Sequence, residues 1–191
     1  PISVKLIADL LVAAGVNHVI TFDLHSDQIE GFFSVPVDNL HCYGLFAKYF
    51  AKKKLKDPVI VTTDVGAAKI AQRLSGLLKI PLALLHKMRP THQRVEHTHL
   101  VGDVQGRTVI LFDDMIDTAS SICAAKEAVM AHGALPQVYA AATHAVLSGP
   151  AHKRLEAAKF AEIVVTDTIP LRESAKNITV LSVAPLLKKV L

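Results

Sequence analysis

Strand-length apolar runs alternate with stretches of helical period along almost the whole chain, and this alternation narrows the fold more than any other feature. Helical spacing over 3–14 is followed by a strand pattern over 18–22. A second helix is expected over 43–53, and a buried strand over 58–62. Then come a helix over 67–78, a strand over 82–86 and a strand over 108–112. The series closes with a helix over 121–131, a strand over 137–142, a helix over 151–158, a strand over 162–165 and a last helix over 184–190. Such alternation predicts an α/β fold with a mostly parallel sheet, helices on both faces and right-handed crossovers. Two segments stand outside it. Residues 23–39, with Gly31 and Pro36, read as loop. Residues 87–98, with Pro90 and the cations Lys87, Arg89 and Arg94, read as a mobile loop.

Composition excludes several function classes. The apolar share is 51% and mean hydropathy is +0.35, which suits a compact, well-buried protein rather than a disordered one. Apolar runs are broken within about ten residues, short of the roughly 20 that a membrane-spanning helix needs. The formal charge of +4 is scattered apart from Lys52-Lys53-Lys54, and few aromatics lie nearby to stack bases. A nucleic-acid groove is therefore disfavoured. Cys42 and Cys123 lie far apart with no metal-ligand spacing, and two free thiols fit a reducing cytoplasm.

In a parallel α/β sheet, ligands bind beyond the carboxyl ends of the strands. Four expected strand ends carry polar clusters. They are Asp23-Leu24-His25, the Thr62–Ala67 stretch, His86-Lys87-Met88-Arg89, and the nine residues 113–121 (Asp-Asp-Met-Ile-Asp-Thr-Ala-Ser-Ser). Each has a plain structural reading beside a functional one. Asp113 and Asp114 fit turn or N-cap carboxylates; they equally fit groups that hold ribose hydroxyls or a hydrated Mg²⁺. Thr118, Ser120 and Ser121 fit caps, although three hydroxyls exceed what capping requires. A helix N-terminus there offers amides to a phosphate. Asp64-Val65-Gly66 fits an ordinary strand-to-helix turn, or a turn that wraps phosphates closely because glycine permits it. His25 reads either as a satisfied histidine or, with Asp23 two residues before it, as a metal or nucleotide contact. Lys87 and Arg89 fit a solvated loop or a pair of cations closing over phosphates. His92, His97 and His99 lack matched ligand spacing and read as solvated.

Taken together, these stretches resemble the ribose-phosphate diphosphokinase (PRPP synthetase) family over essentially the whole chain. The resemblance rests on residues 1–6, Asp23-Leu24-His25 with 28–33, 36–40, Asp64-Val65-Gly66, Lys87-Met88-Arg89, 113–118 and 143–150. It implies a phosphoribosyltransferase-like (type I) fold. Residues 1–40 would be the tail of a first such domain whose remainder lies upstream of Pro1, and 41–191 would be a second. The chain alone is then expected to be inactive.

The implied reaction moves the diphosphoryl group of Mg-ATP to the anomeric hydroxyl of ribose 5-phosphate. Asp117, Thr118, Ala119, Ser120 and Ser121 would grip the 5-phosphate, with Asp113 and Asp114 on the ribose. Lys87 and Arg89 would be catalytic. His25, Asp64, Val65, Gly66 and Ala67 would bind the ATP diphosphate, and Asp23, His25 and Asp64 would organise Mg²⁺. The resemblance also implies a homo-oligomer. Three positions depart from the family pattern: Ser120 and Ala67 stand where Gly is usual, and Ser34 where a carboxylate is usual. Ser120 is expected to crowd the phosphate turn if that position needs positive φ. Ala67 would narrow the diphosphate loop, and the loss of an acid at Ser34 argues against a metal or regulatory role there. Two other readings share the ribose-phosphate loop: a transferase that consumes PRPP, and a catalytically silent regulatory homologue.

Overall fold

The computed structural model describes residues 2–63, 66–87, 98–172 and 177–191, with only the backbone at Ile2, Lys87 and Thr98. The chain forms two compact units, Pro1–Cys42 and Tyr43–Leu191.

In the first unit, helix α1 (Ile2–Ala13) leads to strand β1 (Val19–Phe22), a 3-10 turn (Asp27–Phe32) and strand β2 (Val37–Leu40). β1 and β2 pair in parallel, with Val19 opposite Val37 and Phe22 opposite Leu40. The expectation of a loop over 23–39 is thus corrected. β2 has only four residues, two of them the polar Asp38 and Asn39, so its period-2 signal is too short to read from sequence.

The second unit contains α2 (Tyr43–Phe50), β3 (Pro58–Thr62), α3 (Ala68–Leu78), β4 (Leu82–Lys87), β5 (Thr98–Val101) and β6 (Thr108–Ile116). These are followed by α4 (Ser120–Ala131), β7 (Tyr139–Ala145), α5 (Ala151–Ala158), β8 (Glu162–Thr166), β9 (Ile178–Leu181) and α6 (Ala184–Leu187). The sheet order is β5-β4-β3-β6-β7-β8-β9. Every pairing is parallel except β4 with β5, where Lys87 faces Thr98. The α/β class with a mostly parallel sheet is as expected. The strands β5 and β9 are additions; each is a four-residue edge strand, too short to stand out from its surroundings.

Alternate side chains of the strands project to opposite faces. Val59, Val61, Val109, Leu111, Ala140, Ala142, Ile163 and Val165 form one buried layer with Ile122, Ala125 and Val129 of α4 and Leu155 of α5. On the other face, Phe46 of α2 meets Phe112 edge-on at 5.4 Å between ring centres, and Phe50 meets Tyr139 at 6.2 Å. The central strands are buried on both faces, which is why they read as continuous apolar runs.

One glycine fixes the path of the chain. At Gly102, φ is +112°, and an added Cβ would lie 2.7 Å from the Ala83 Cβ. The β5 exit therefore runs hard against β4. Among the described residues, no helix is long and apolar enough to cross a membrane.

Candidate functional site

The chain runs from β3 outward to β4, then returns to place β6 on the other side of β3. Strand order therefore reverses between β3 and β6, and the carboxyl ends of those strands frame the crevice where doubly wound sheets bind ligands. β3 ends at Thr62, opposite Phe112, whereas β6 runs on to Ile116, paired only with β7. The strand thus extends through the two carboxylates rather than ending at them, contrary to a strand over 108–112. Pairing with Ala142, His144 and Ala145 of β7 carries it that far.

Asp113 and Asp114 are half-buried on this overhang. The Thr63 hydroxyl donates to Asp113 Oδ2 at 2.5 Å, and the Asp114 N–H donates to Asp113 Oδ1 at 2.9 Å. Burial and the neighbouring Asp114 carboxylate push the Asp113 carboxyl up to about 6, outweighing the two donors. Two acids held this close repel each other, and a cation or a set of hydroxyl donors is what relieves the repulsion. Thr63 belongs to a polar strand-end cluster, but no role for it was legible without knowing that β3 and β6 are neighbours.

Beyond β6 the chain turns into α4. Ala119 is buried and left-handed, with φ 61° and ψ 8°. Ser120 is the first residue of the helix and is not among the positive-φ positions. The concern about positive φ thus shifts from Ser120 to Ala119, where an L side chain pays for the left-handed region. Ser120 and Ser121 are exposed on the first turn of α4, and no side chain caps that helix. Asp117 is exposed and accepts a hydrogen bond from the Ser148 hydroxyl, while Thr118 C=O accepts one from Arg154 Nη1 at 2.9 Å. Arg154 and Ser148 are site neighbours that sequence spacing did not reveal, because they lie more than thirty residues downstream.

At the β3 end, Gly66 is exposed, and Ala67 is buried with φ −79° immediately before α3. Ala67 occupies the right-handed region, so its Cβ brings no backbone strain. Asp64, Val65 and Arg89 lie outside the described residues. Lys87 is the last residue of β4, and its side chain is also outside them.

In the first unit, His25 is exposed just after β1, and Ser34 is exposed after the 3-10 turn. Asp23 is 1% exposed. One carboxylate oxygen pairs with His41 Nδ1 at 2.9 Å, and the other accepts the Cys42 N–H at 3.0 Å. These contacts tie Asp23 to His41 and to the backbone at Cys42, the last residue of the first unit. Among the described residues, no three His, Cys, Asp or Glu side chains gather in a way that would hold a metal ion.

A further polar network lies on the β6–β8 side. The hydroxyls of Thr166 and Thr168 both donate to Thr143 C=O, at 2.8 and 3.1 Å, and Thr168 also meets His144 Nδ1 at 3.0 Å. It braces the carboxyl ends of β7 and β8 beside the carboxylate pair.

Comparison with known proteins bears on what this crevice serves. The chain is 48% identical over 189 residues to a ribose-phosphate pyrophosphokinase of Caldanaerobacter subterraneus subsp. tengcongensis, covering 97% of this chain and 60% of that protein. It is 44% identical to the protein of the same name from Oceanobacillus iheyensis, covering 98% of this chain and 59% of that one. The crystal structure of phosphoribosylpyrophosphate synthetase from Mycobacterium smegmatis superposes with a TM-score of 0.88 at 42% identity, over 100% of this chain and 62% of that one. The chain thus spans about three-fifths of the length of the curated relatives it matches. The model of the phosphoribosyl synthetase-associated domain matches residues 89–188, just over half of the chain. With its β6–α4 crevice inside that match, the chain belongs to the phosphoribosyl synthetase-associated domain family.

Proposed function

We propose that the protein transfers the diphosphoryl group of Mg-ATP to the anomeric hydroxyl of ribose 5-phosphate, forming PRPP and AMP. The observation that carries this reading is the 113–121 run at the strand-order reversal, where a charge-strained carboxylate pair leads into a left-handed turn and an uncapped helix start. The names of the matching pyrophosphokinases and of the synthetase structure support it. Because the chain spans only part of those relatives, the activity is proposed for the whole protein.

In this mechanism the turn from Asp117 to Ser121 holds the 5-phosphate on backbone amides and hydroxyls, while Asp113 and Asp114 accept from the ribose hydroxyls. The anomeric oxygen attacks the β-phosphorus, and AMP leaves. Little covalent help is needed, so positioning and charge neutralisation supply the acceleration. Lys87, at the end of β4, and Arg89, two residues beyond it, provide the cations that meet charge on the transferred oxygens. Gly66 and Ala67, with Asp64 and Val65, take the diphosphate side.

A Mg²⁺ bound with ATP would neutralise phosphate charge, and carboxylate donors suit it. The Asp113 and Asp114 carboxylates repel each other without a cation, and Mg²⁺ is ordinarily held by one or two carboxylates together with substrate phosphates. Asp23, His25 and Asp64 remain the proposed ligands on the ATP side. The reading carries with it a homo-oligomer and a reducing cytoplasm, the latter in keeping with the free thiols of Cys42 and Cys123.

The test is ribose 5-phosphate-dependent AMP formation by the full-length protein. Lys87→Ala should lower kcat at least about a hundredfold with the far-UV spectrum unchanged. Near-normal turnover in that variant would remove Lys87 from the mechanism. PRPP-dependent base transfer without any ATP requirement would instead point to a phosphoribosyltransferase.

A further inference from the structure

We infer that the segment from Leu147 to Arg154 is a positioning element that turns the amides of the phosphate cradle towards the ligand, with Arg154 its decisive member. This rests on the ribose-phosphate reading above.

Three successive carbonyls of the β6–α4 connection are taken by that segment. Leu147 N–H donates to Ile116 C=O at 3.0 Å, and Ser148 N–H donates to Asp117 C=O at 3.1 Å. Arg154 Nη1 donates to Thr118 C=O at 2.9 Å. The described residues contain no cis peptide. In a planar trans peptide the C=O and the following N–H point in opposite directions. Fixing carbonyls 116, 117 and 118 therefore aims the amides of Asp117, Thr118 and Ala119 away from the β7–α5 side.

In an extended strand, successive carbonyls alternate between the two edges, but here carbonyls 116 and 117 both turn to the β7–α5 side. The left-handed Ala119 completes the reversal and delivers the chain into α4. Successive amides gathered on one side of a turn make an anion-binding concavity, which the first amides of α4 then extend.

Arg154 differs from the other two clamps. Leu147 and Ser148 donate through backbone N–H groups that any residue but proline supplies, whereas Arg154 acts through its side chain. It lines a groove of about 390 Å³ between α4 and α5, together with Ser120, Cys123 and Glu127 among others. Its guanidinium also places a full positive charge beside the turn without occupying the ligand's side. Arg154 is thus a positioning residue: it holds the peptide that holds the phosphate.

The experiment is calorimetric titration of the full-length protein with ribose 5-phosphate and, separately, with ATP. Arg154→Met should weaken ribose 5-phosphate by about tenfold while ATP affinity stays within about twofold; Arg154→Lys, which keeps the charge and one donor, should recover most of the loss. A general loss of structure would move both ligands together. Wild-type affinity for ribose 5-phosphate in Arg154→Met would overturn the inference. If the wild-type protein binds no ribose 5-phosphate at all, both the inference and the function it rests on fall. Hydrogen exchange of the wild-type protein decides independently of how the variants fold. Amides 117–119 should gain at least about fivefold protection on adding ribose 5-phosphate, and unchanged exchange there would overturn the positioning role.

Discussion

Asp113 is the residue at which binding and stability pull in opposite directions. Its carboxyl is pushed up to about 6 by burial and by Asp114, against 3.8 for a free aspartate. For an acid raised in the folded state, the folded protein holds the extra proton between those two values. Stability is therefore fully present below about 4 and is lost as pH rises through about 6. Asp113→Asn should thus melt like the parent protein near pH 4 but be more stable at pH 7, by about 2 kcal/mol. Thermal melts of both proteins across pH 4–8 check this, and a stability difference that does not grow with pH would show that the pair is not strained. The same variant should bind ribose 5-phosphate more weakly, because the strained acid is the proposed acceptor for its hydroxyls.

At the scale of elements, an ionic cluster fastens the amino-terminal ends of β8 and β9. Glu162 of β8 pairs with Lys53 and also accepts from the Tyr49 and Thr179 hydroxyls, joining β8 to β9 and to the end of α2. Burial alone would raise the Glu162 carboxyl and lower the Lys53 ammonium. Their mutual contact and the tyrosine win in both cases, leaving the acid depressed and the base raised. A depressed acid stabilises above its unfolded value and loses that contribution as pH falls through its folded value. Glu162→Gln should cost about 1–3 kcal/mol at pH 7, with the deficit shrinking below about pH 4.5 in urea titrations.

Element by element, the long buried strands and the helices between them were legible, because buried parallel strands read as unbroken apolar runs. What stayed hidden was short or dependent on partners. β2, β5 and β9 have four residues each, and β6 gains its last four residues by pairing with β7. The identities of Asp113 to Ser121 marked the proposed cradle in the sequence itself. Arg154, Ser148 and Thr63 could be assigned to it only once the sheet order brought distant segments together.

At the scale of the whole molecule, the two units differ in what their own residues bury. All eight positions of β1 and β2 are only half-buried, whereas the first five residues of β6 are buried. Leu6, Ile7 and Leu10 of α1 are each more than half exposed. A two-stranded sheet with so little covered apolar surface has little to resist local opening. In the 191-residue chain, amides of β1 and β2 should exchange at least about tenfold faster than those of β6 and β7 by hydrogen-exchange mass spectrometry. Equal rates in the two units would mean that the first is held as firmly as the second.

The clamp on carbonyls 116–118 bears on how such a site can be found by mutation. The amides it is proposed to aim belong to the main chain, and every residue except proline carries the same N–H. Replacing Thr118, Ser120 or Ser121 by alanine removes a hydroxyl but leaves the amide in place. A side-chain scan of this turn therefore passes over the amides proposed to bind the phosphate. Those atoms become visible to substitution only where the N–H itself is deleted, or where the arginine that aims it is taken away.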